Sequence, residues 1–155
     1  MLMNMFQKAG LALCILSIPT IGGAQMTPDP VSWTAVASKR AGKTYDIRIS
    51  STLKPGWHIY AVNPGGDGSL IATSFSFKPA AGGAKPTPVQ VSGKAKAMEF
   101  PGVEGTAYVY EGKTDFTSTV TGAPGQVLNL TVGYQPCNEQ MCLPPKKKVL
   151  SIKLP

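Results

Sequence analysis

Beyond its first 24 residues the sequence has no apolar run long enough to cross a bilayer, for which roughly 20 predominantly apolar residues are needed. It also has no long stretch free of helix breakers, because 17 glycines and 14 prolines are spread along 155 residues, and both disfavour helix interiors. No internal repeat is apparent. Basic residues outnumber acidic ones, 15 to 8, yet the charge is scattered from Lys39 to Lys113 with one cluster at Lys146 to Lys148. A nucleic-acid surface concentrates such charge and interleaves aromatics with it, so scattered surface lysine and no nucleic-acid partner are expected. Metal chemistry has little to draw on. Met98, Met141, Met26 and His58 are donor types that copper accepts beside thiols, but none falls into a ligand spacing with another. No metal or other cofactor is expected.

The N-terminus is different in kind. One basic residue, Lys8, precedes an uncharged run from Ala9 to Ile18, and Pro19 leads to the small residues Gly22, Gly23 and Ala24. That order is a secretory signal peptide over residues 1–24, cleaved near Ala24, so that the mature chain starts near Gln25 or Met26 and is soluble. An uncleaved anchor would need the run stretched to about Ile21. Lipidation at Cys14 fits poorly, since Cys14 follows Leu13 and lies inside the apolar run. Setting residues 1–24 aside leaves 131 residues, one domain over 25–155, with a formal charge of +6 instead of +7 and two cysteines instead of three. Export and an even cysteine count make a disulfide the default expectation.

The mature sequence alternates as strands do. Tyr45, Ile47 and Ile49 share one face of Thr44–Ser50; Ile71, Thr73, Phe75 and Phe77 share another. Leu128, Leu130, Val132 and Tyr134 repeat the pattern, and Leu150, Ile152 and Leu154 close the chain. With 31–37, 57–62, 89–92, 106–110 and 115–120, about nine strands are expected. The β-branched residues of 31–41 argue against a helix there, and Ala80–Pro88 reads as a loop. Many short strands between turn residues predict an all-β protein, an immunoglobulin-like antiparallel β-sandwich.

Cys137 and Cys142 lie between the strand ending near Tyr134 and the strand starting near Val149, with four residues between them. A hairpin tip of that size brings two Cα atoms into disulfide range, about 4.4 to 6.8 Å. So short a loop gives only about 2 kcal/mol of chain-entropy stabilisation, against nearly 5 for a loop of about 100 residues. That comparison moves weight from a structural staple toward a functional bond without deciding between them.

The run Tyr134-Gln135-Pro136-Cys137, followed by Cys142-Leu143-Pro144-Pro145 and a last strand, resembles the signature of the N-terminal periplasmic domain of the thiol:disulfide interchange protein DsbD. Gly56-Trp57-His58-Ile59-Tyr60 is similar to that family's aromatic strand. Glu99-Phe100-Pro101-Gly102, with Thr106 to Tyr110 behind it, is similar to its cap loop and next strand. The resemblance implies an immunoglobulin-like fold with a redox-active hairpin, a catalytic Cys137–Cys142 couple, and Cys142 as the sulfur that forms the mixed disulfide. It makes Phe100 the aromatic that shields the sulfurs, and Tyr134, Gln135, Pro144 and Pro145 the hairpin's support. Its implied partners are a thioredoxin-like donor and oxidised periplasmic acceptor proteins. Known members have one more residue between the cysteines, and they continue into a membrane domain and a thioredoxin-like domain. This sequence ends at Pro155, so a separate membrane electron carrier is a further expected partner.

Exchange needs a thiolate with an open approach. Lys146 to Lys148 would favour a thiolate at Cys142 and Glu139 would oppose it. No residue pattern supplies a general base, and a partner's active site could bring one. His58, the sole histidine, reads as a strand residue beside Trp57. Without the resemblance, Phe100 reads as a loop aromatic packed on its own domain. Two functions follow: a dithiol–disulfide shuttle, a protein-disulfide reductase component, or an immunoglobulin-like binding or assembly module whose disulfide only pins a loop.

Overall fold

Alternating side chains organise the protein. In a computed structural model describing residues 28–78 and 84–155, the strands are β1 (Val31–Ala41), β2 (Thr44–Leu53), β3 (His58–Gly65), β4 (Ser74–Lys78), β5 (Lys85–Pro86), β6 (Gln90–Val91), β7 (Lys96–Met98), β8 (Ala107–Glu111), β9 (Lys113–Thr121), β10 (Val127–Tyr134), β11 (Pro136–Cys137) and β12 (Lys146–Lys153). There is no helix among the described residues. The expected signal peptide at 1–24 with Cys14, the expected start near Gln25 or Met26, and the 80–83 part of the expected loop lie outside them.

Every strand pairing among the described residues is antiparallel, as an immunoglobulin-like fold requires. One sheet runs β1–β2–β9, with short β5 and β6 on β9; a second runs β12–β10–β4; a third runs β11–β3–β8–β7. Their inner faces share one core. Tyr45, Ile47, Ile49 and Phe116 come from the first sheet, Leu128, Leu130, Val132 and Ile152 from the second, and Ile59 and Tyr110 from the third. Burying such a side chain fully stabilises the fold by about 1.5 to 3 kcal/mol. The intervening residues, such as Arg48 and Asn129, face solvent. Trp33 joins the layers by packing on Phe75, Phe116 and Tyr134 with ring centroids 5.4 to 6.1 Å apart.

Two segments differ from expectation. The strand expected from Ile71 begins only at Ser74, and Ile71 is exposed. The reason lies in Thr73, where the chain passes from the third sheet to the second. Its amide approaches the carbonyls of Tyr60 and Ala61 at 3.3 Å, and its hydroxyl donates to the Tyr60 carbonyl at 2.6 Å. Those bonds tie Thr73 to β3, so pairing with β10 starts one residue later. Within the expected Ala80–Pro88 loop, Lys85 and Pro86 pair with Thr121 and Val120. Pro86 is tolerated because this is a sheet edge, where a missing N–H removes no ladder bond.

The arrangement brings the cysteine segment to the third sheet. After Tyr134 the chain leaves β10, pairs with β3 as β11, turns, and returns to β10 as β12. The base of this excursion is pinned by Asp29. The Tyr134 hydroxyl donates to Asp29 Oδ2 at 2.6 Å, and the ammonium of Lys146, its register partner, lies 3.3 Å from the same oxygen.

Candidate functional site

Cys137 and Cys142 are joined by a disulfide and face each other as an isolated antiparallel pair. The Asn138 amide donates to the Met141 carbonyl at 2.9 Å on one side of the pair, and the Leu143 amide donates to the Pro136 carbonyl at 2.8 Å on the other. The cysteines therefore occupy the close, non-hydrogen-bonded position of an antiparallel ladder. Their Cα atoms are 4.0 Å apart, nearer than the expected range.

Asn138 organises the tip. Its Oδ1 accepts from the amides of Gln140 at 2.9 Å and Met141 at 2.8 Å, so one side chain satisfies two turn donors in the manner of an Asx turn. Gln135 steadies the stem by donating from Nε2 to the Leu143 carbonyl at 3.1 Å. Pro144 and Pro145 are exposed and precede β12, where their missing N–H groups keep the returning chain out of early pairing. Tyr134 is a core residue as well as a neighbour of the hairpin, being buried against Trp33. Burial, then the Asp29 hydrogen bond and charge, push its phenol well above its ordinary pKa.

The two sulfurs sit in unlike surroundings. Cys137 is 1 % exposed and packs in a small cluster with Tyr60 and Val109, against which Leu70, Met98 and Phe100 lie half-buried. Cys142 is exposed. The Tyr60 hydroxyl lies 3.9 Å from both sulfurs. Burial raises the Tyr60 pKa, so the phenol keeps its proton and is a weak donor toward whichever sulfur carries charge.

Phe100 stands over this cluster. Its ring centroid is 5.5 Å from that of His58 and 5.8 Å from that of Tyr60, the latter edge-on. The turn that carries it is closed by the Val103 amide donating to the Phe100 carbonyl at 3.1 Å. Gly102 in that turn has φ +82°, a left-handed conformation suited to glycine. Glu99 and Pro101 flank the ring and are exposed. Phe100 is thus a half-buried aromatic held over the Cys137 cluster by a surface turn.

Of the lysines that follow Cys142 in sequence, one has its charge engaged elsewhere. Lys146 engages Asp29 at the hairpin base, while Lys147 and Lys148 pair with Gly133 and Val132 along β12. Glu139 lies at the exposed tip and helps line a groove of about 460 Å³ with Trp57, His58, Lys96 and Glu111. Sequence reasoning missed Asn138, Tyr60 and His58 as neighbours of the pair. Asn138 was legible as an Asx-turn residue at the start of a four-residue tip; the other two needed the pairing of β11 with β3.

The sequence matches the family described as "Thiol:disulfide interchange protein DsbD, N-terminal" over residues 26–154. No curated protein matches it. Among solved structures, the fold is similar to the N-terminal periplasmic domain of ScsB from Proteus mirabilis, with a TM-score of 0.56 and 18 % identity, covering 80 % of this chain and 45 % of that one. It is also similar to the DsbD N-terminal domain of Neisseria meningitidis in the reduced form, with a TM-score of 0.51 and 18 % identity, covering 69 % of this chain and 75 % of that one. The chain thus spans under half the length of the ScsB chain it resembles.

Proposed function

The chain belongs to the family of N-terminal domains of the thiol:disulfide interchange protein DsbD, and from that membership together with the site geometry we propose that it is an extracytoplasmic thiol–disulfide exchange domain working through Cys137 and Cys142. Family and disulfide support exchange in general. The finer reading is a shuttle that takes electrons from a thioredoxin-like donor and passes them to oxidised extracytoplasmic proteins, with a separate membrane protein as the electron source. Residues 1–24 serve as the export signal and 25–155 as the exchange domain.

The observation that carries this reading is the asymmetry of the pair, one cysteine exposed and one buried. A donor thiolate reaches Cys142 Sγ first and forms the mixed disulfide, and the electron pair of the broken bond leaves on Cys137, which is then protonated. A second donor thiol attacks the donor sulfur of that mixed disulfide and releases Cys142, so the donor leaves oxidised and the chain leaves as a dithiol. Delivery to an acceptor runs the same steps in reverse. Phe100 covers the enclosed sulfur in this cycle and moves aside on the Gly102 turn when a partner docks.

Redox titration against glutathione and dithiothreitol tests the proposal. An exchangeable pair should titrate between about −200 and −270 mV, whereas structural disulfides stay oxidised to below about −300 mV. A pair still oxidised below that limit would assign the bond to the hairpin's structure and the domain to binding or assembly.

A further inference from the structure

The register of the third sheet sets three chemically active side chains in one row. Cys137 on β11 is the direct partner of His58 on β3, and His58 is the direct partner of Glu111 on β8. Direct partners in antiparallel strands project to the same face with Cβ atoms about 4.5 to 5.5 Å apart. Cys137, His58 and Glu111 therefore occupy one row across three strands, and in the disulfide form His58 Nε2 makes no hydrogen bond to Cys137 Sγ. His58 is 4 % exposed, yet its Nε2 is buried without a hydrogen-bond partner among the described residues. The Phe100 and Tyr60 rings enclose it, with centroids 5.5 and 5.9 Å away.

An enclosed imidazole whose Nε2 lacks a partner among the described residues is an unfavourable core residue, since a buried polar group left unpaired forfeits its hydrogen bonds to water. It is well suited to accepting a proton from a neighbouring thiol. We propose that His58 is the proton acceptor for Cys137 when that thiol closes the internal disulfide, and that Glu111, on the other side of the imidazole, offsets the charge it gains. This rests on the exchange function proposed above. In the step, the Cys137 proton passes to His58 and the resulting thiolate attacks Cys142 Sγ in the mixed disulfide with the acceptor. The bond between Cys142 and the acceptor sulfur breaks, its electron pair leaves on that sulfur, and His58 returns the proton to the departing thiolate or to solvent. Cys137 and Cys142 end oxidised and the acceptor disulfide ends reduced.

The charged and titratable groups around the row fix the expected pH behaviour. Burial lowers the His58 pKa from 6.5, the Glu111 charge raises it, and Lys96, which lies 3.1 Å from Glu111, lowers it again. Tyr60 adjoins on the same strand, and Lys54 and Glu139 line the groove beyond. The imidazole is thus neutral, and able to accept a proton, above an inflection lying below pH 6.5.

The test uses the reduced chain in a Cys14→Ser background, mixed in a stopped-flow instrument with dithiobis-nitrobenzoate. Attack by Cys142 releases one chromophore in a phase that scales with reagent concentration, and closure by Cys137 releases another in a phase that does not. His58→Phe should slow closure at pH 7 by about 10- to 100-fold while leaving the first phase nearly unchanged. At alkaline pH, once Cys137 ionises unaided, the two proteins should converge. In the unsubstituted chain, closure should accelerate through the histidine inflection, which Glu111→Gln moves to lower pH and Lys96→Gln to higher pH. Identical closure rates and superimposable profiles in all four proteins would overturn the role of His58 and leave exchange itself standing. Absence of chromophore release from the reduced unsubstituted chain would overturn both. Should His58→Phe fail to fold, the opposed shifts of the Glu111 and Lys96 variants decide alone, since those side chains are 42 % and 59 % exposed and outside the core.

Discussion

Removing the Phe100 ring is the sharpest test of the proposed cap. The ring is half-buried and makes two aromatic contacts, to His58 and Tyr60. Each such contact contributes about 0.5 to 1.5 kcal/mol, so the pair holds the cap closed by about 1 to 3 kcal/mol. At about 1.4 kcal/mol per factor of ten, Phe100→Ala should raise the population of uncovered sulfur by roughly 5- to 150-fold. The reduced chain, in a Cys14→Ser background, should be alkylated by iodoacetamide faster by a factor in that range, and the gain should fall chiefly on Cys137. Full removal of a buried Phe costs about 3 to 5 kcal/mol; a half-buried ring on a surface turn should cost about half of that, and the melting temperature should fall by several degrees with the fold intact. Timed alkylation with peptide mapping, beside thermal melting, reads both quantities. An unchanged alkylation rate together with the full core-residue loss of stability would show that Phe100 only fills space, and the cap would be abandoned.

Asn138→Ala removes the acceptor of two tip amides and loosens the turn that brings the thiols together; a loss of about 1 kcal/mol from the closed form corresponds to a potential about 20 mV less negative, measurable by glutathione titration, and an unmoved potential would mean the tip does not contribute to closure. Stability should depend on pH through His58: its folded pKa lies below the unfolded value near 6.5, so its stabilising contribution is complete above that pH and declines as acid protonates the unfolded chain first. Urea midpoints from pH 7.5 down to 5 should show that decline, and His58→Phe should flatten it. Mass spectrometry of exported protein should find a chain beginning near Gln25 or Met26, and a retained Met1 in the membrane fraction would refute cleavage.

The sequence by itself determined the strand character and the core. The two-residue period of Tyr45, Ile47 and Ile49, and of Leu128, Leu130, Val132 and Tyr134, is a local property of the chain, and those residues are buried from 0 to 2 %. The cysteine hairpin was legible for the same reason, since its turn and both stems are contiguous. The reading of residues 99–102 as a cap came from resemblance, because no local pattern says which surface an exposed turn will lie against. Tertiary structure alone decided the start of β4, where Thr73 bonds to a carbonyl 13 residues earlier in place of continuing the strand. It also decided the chemistry around Cys137. His58 and Glu111 stand 79 and 26 residues before that cysteine and become its row-mates only through the pairing of β11 with β3 and of β3 with β8. The difference in exposure between the two sulfurs has the same origin: alternate residues of a strand face opposite sides, but which side is covered depends on what distant segments place over it.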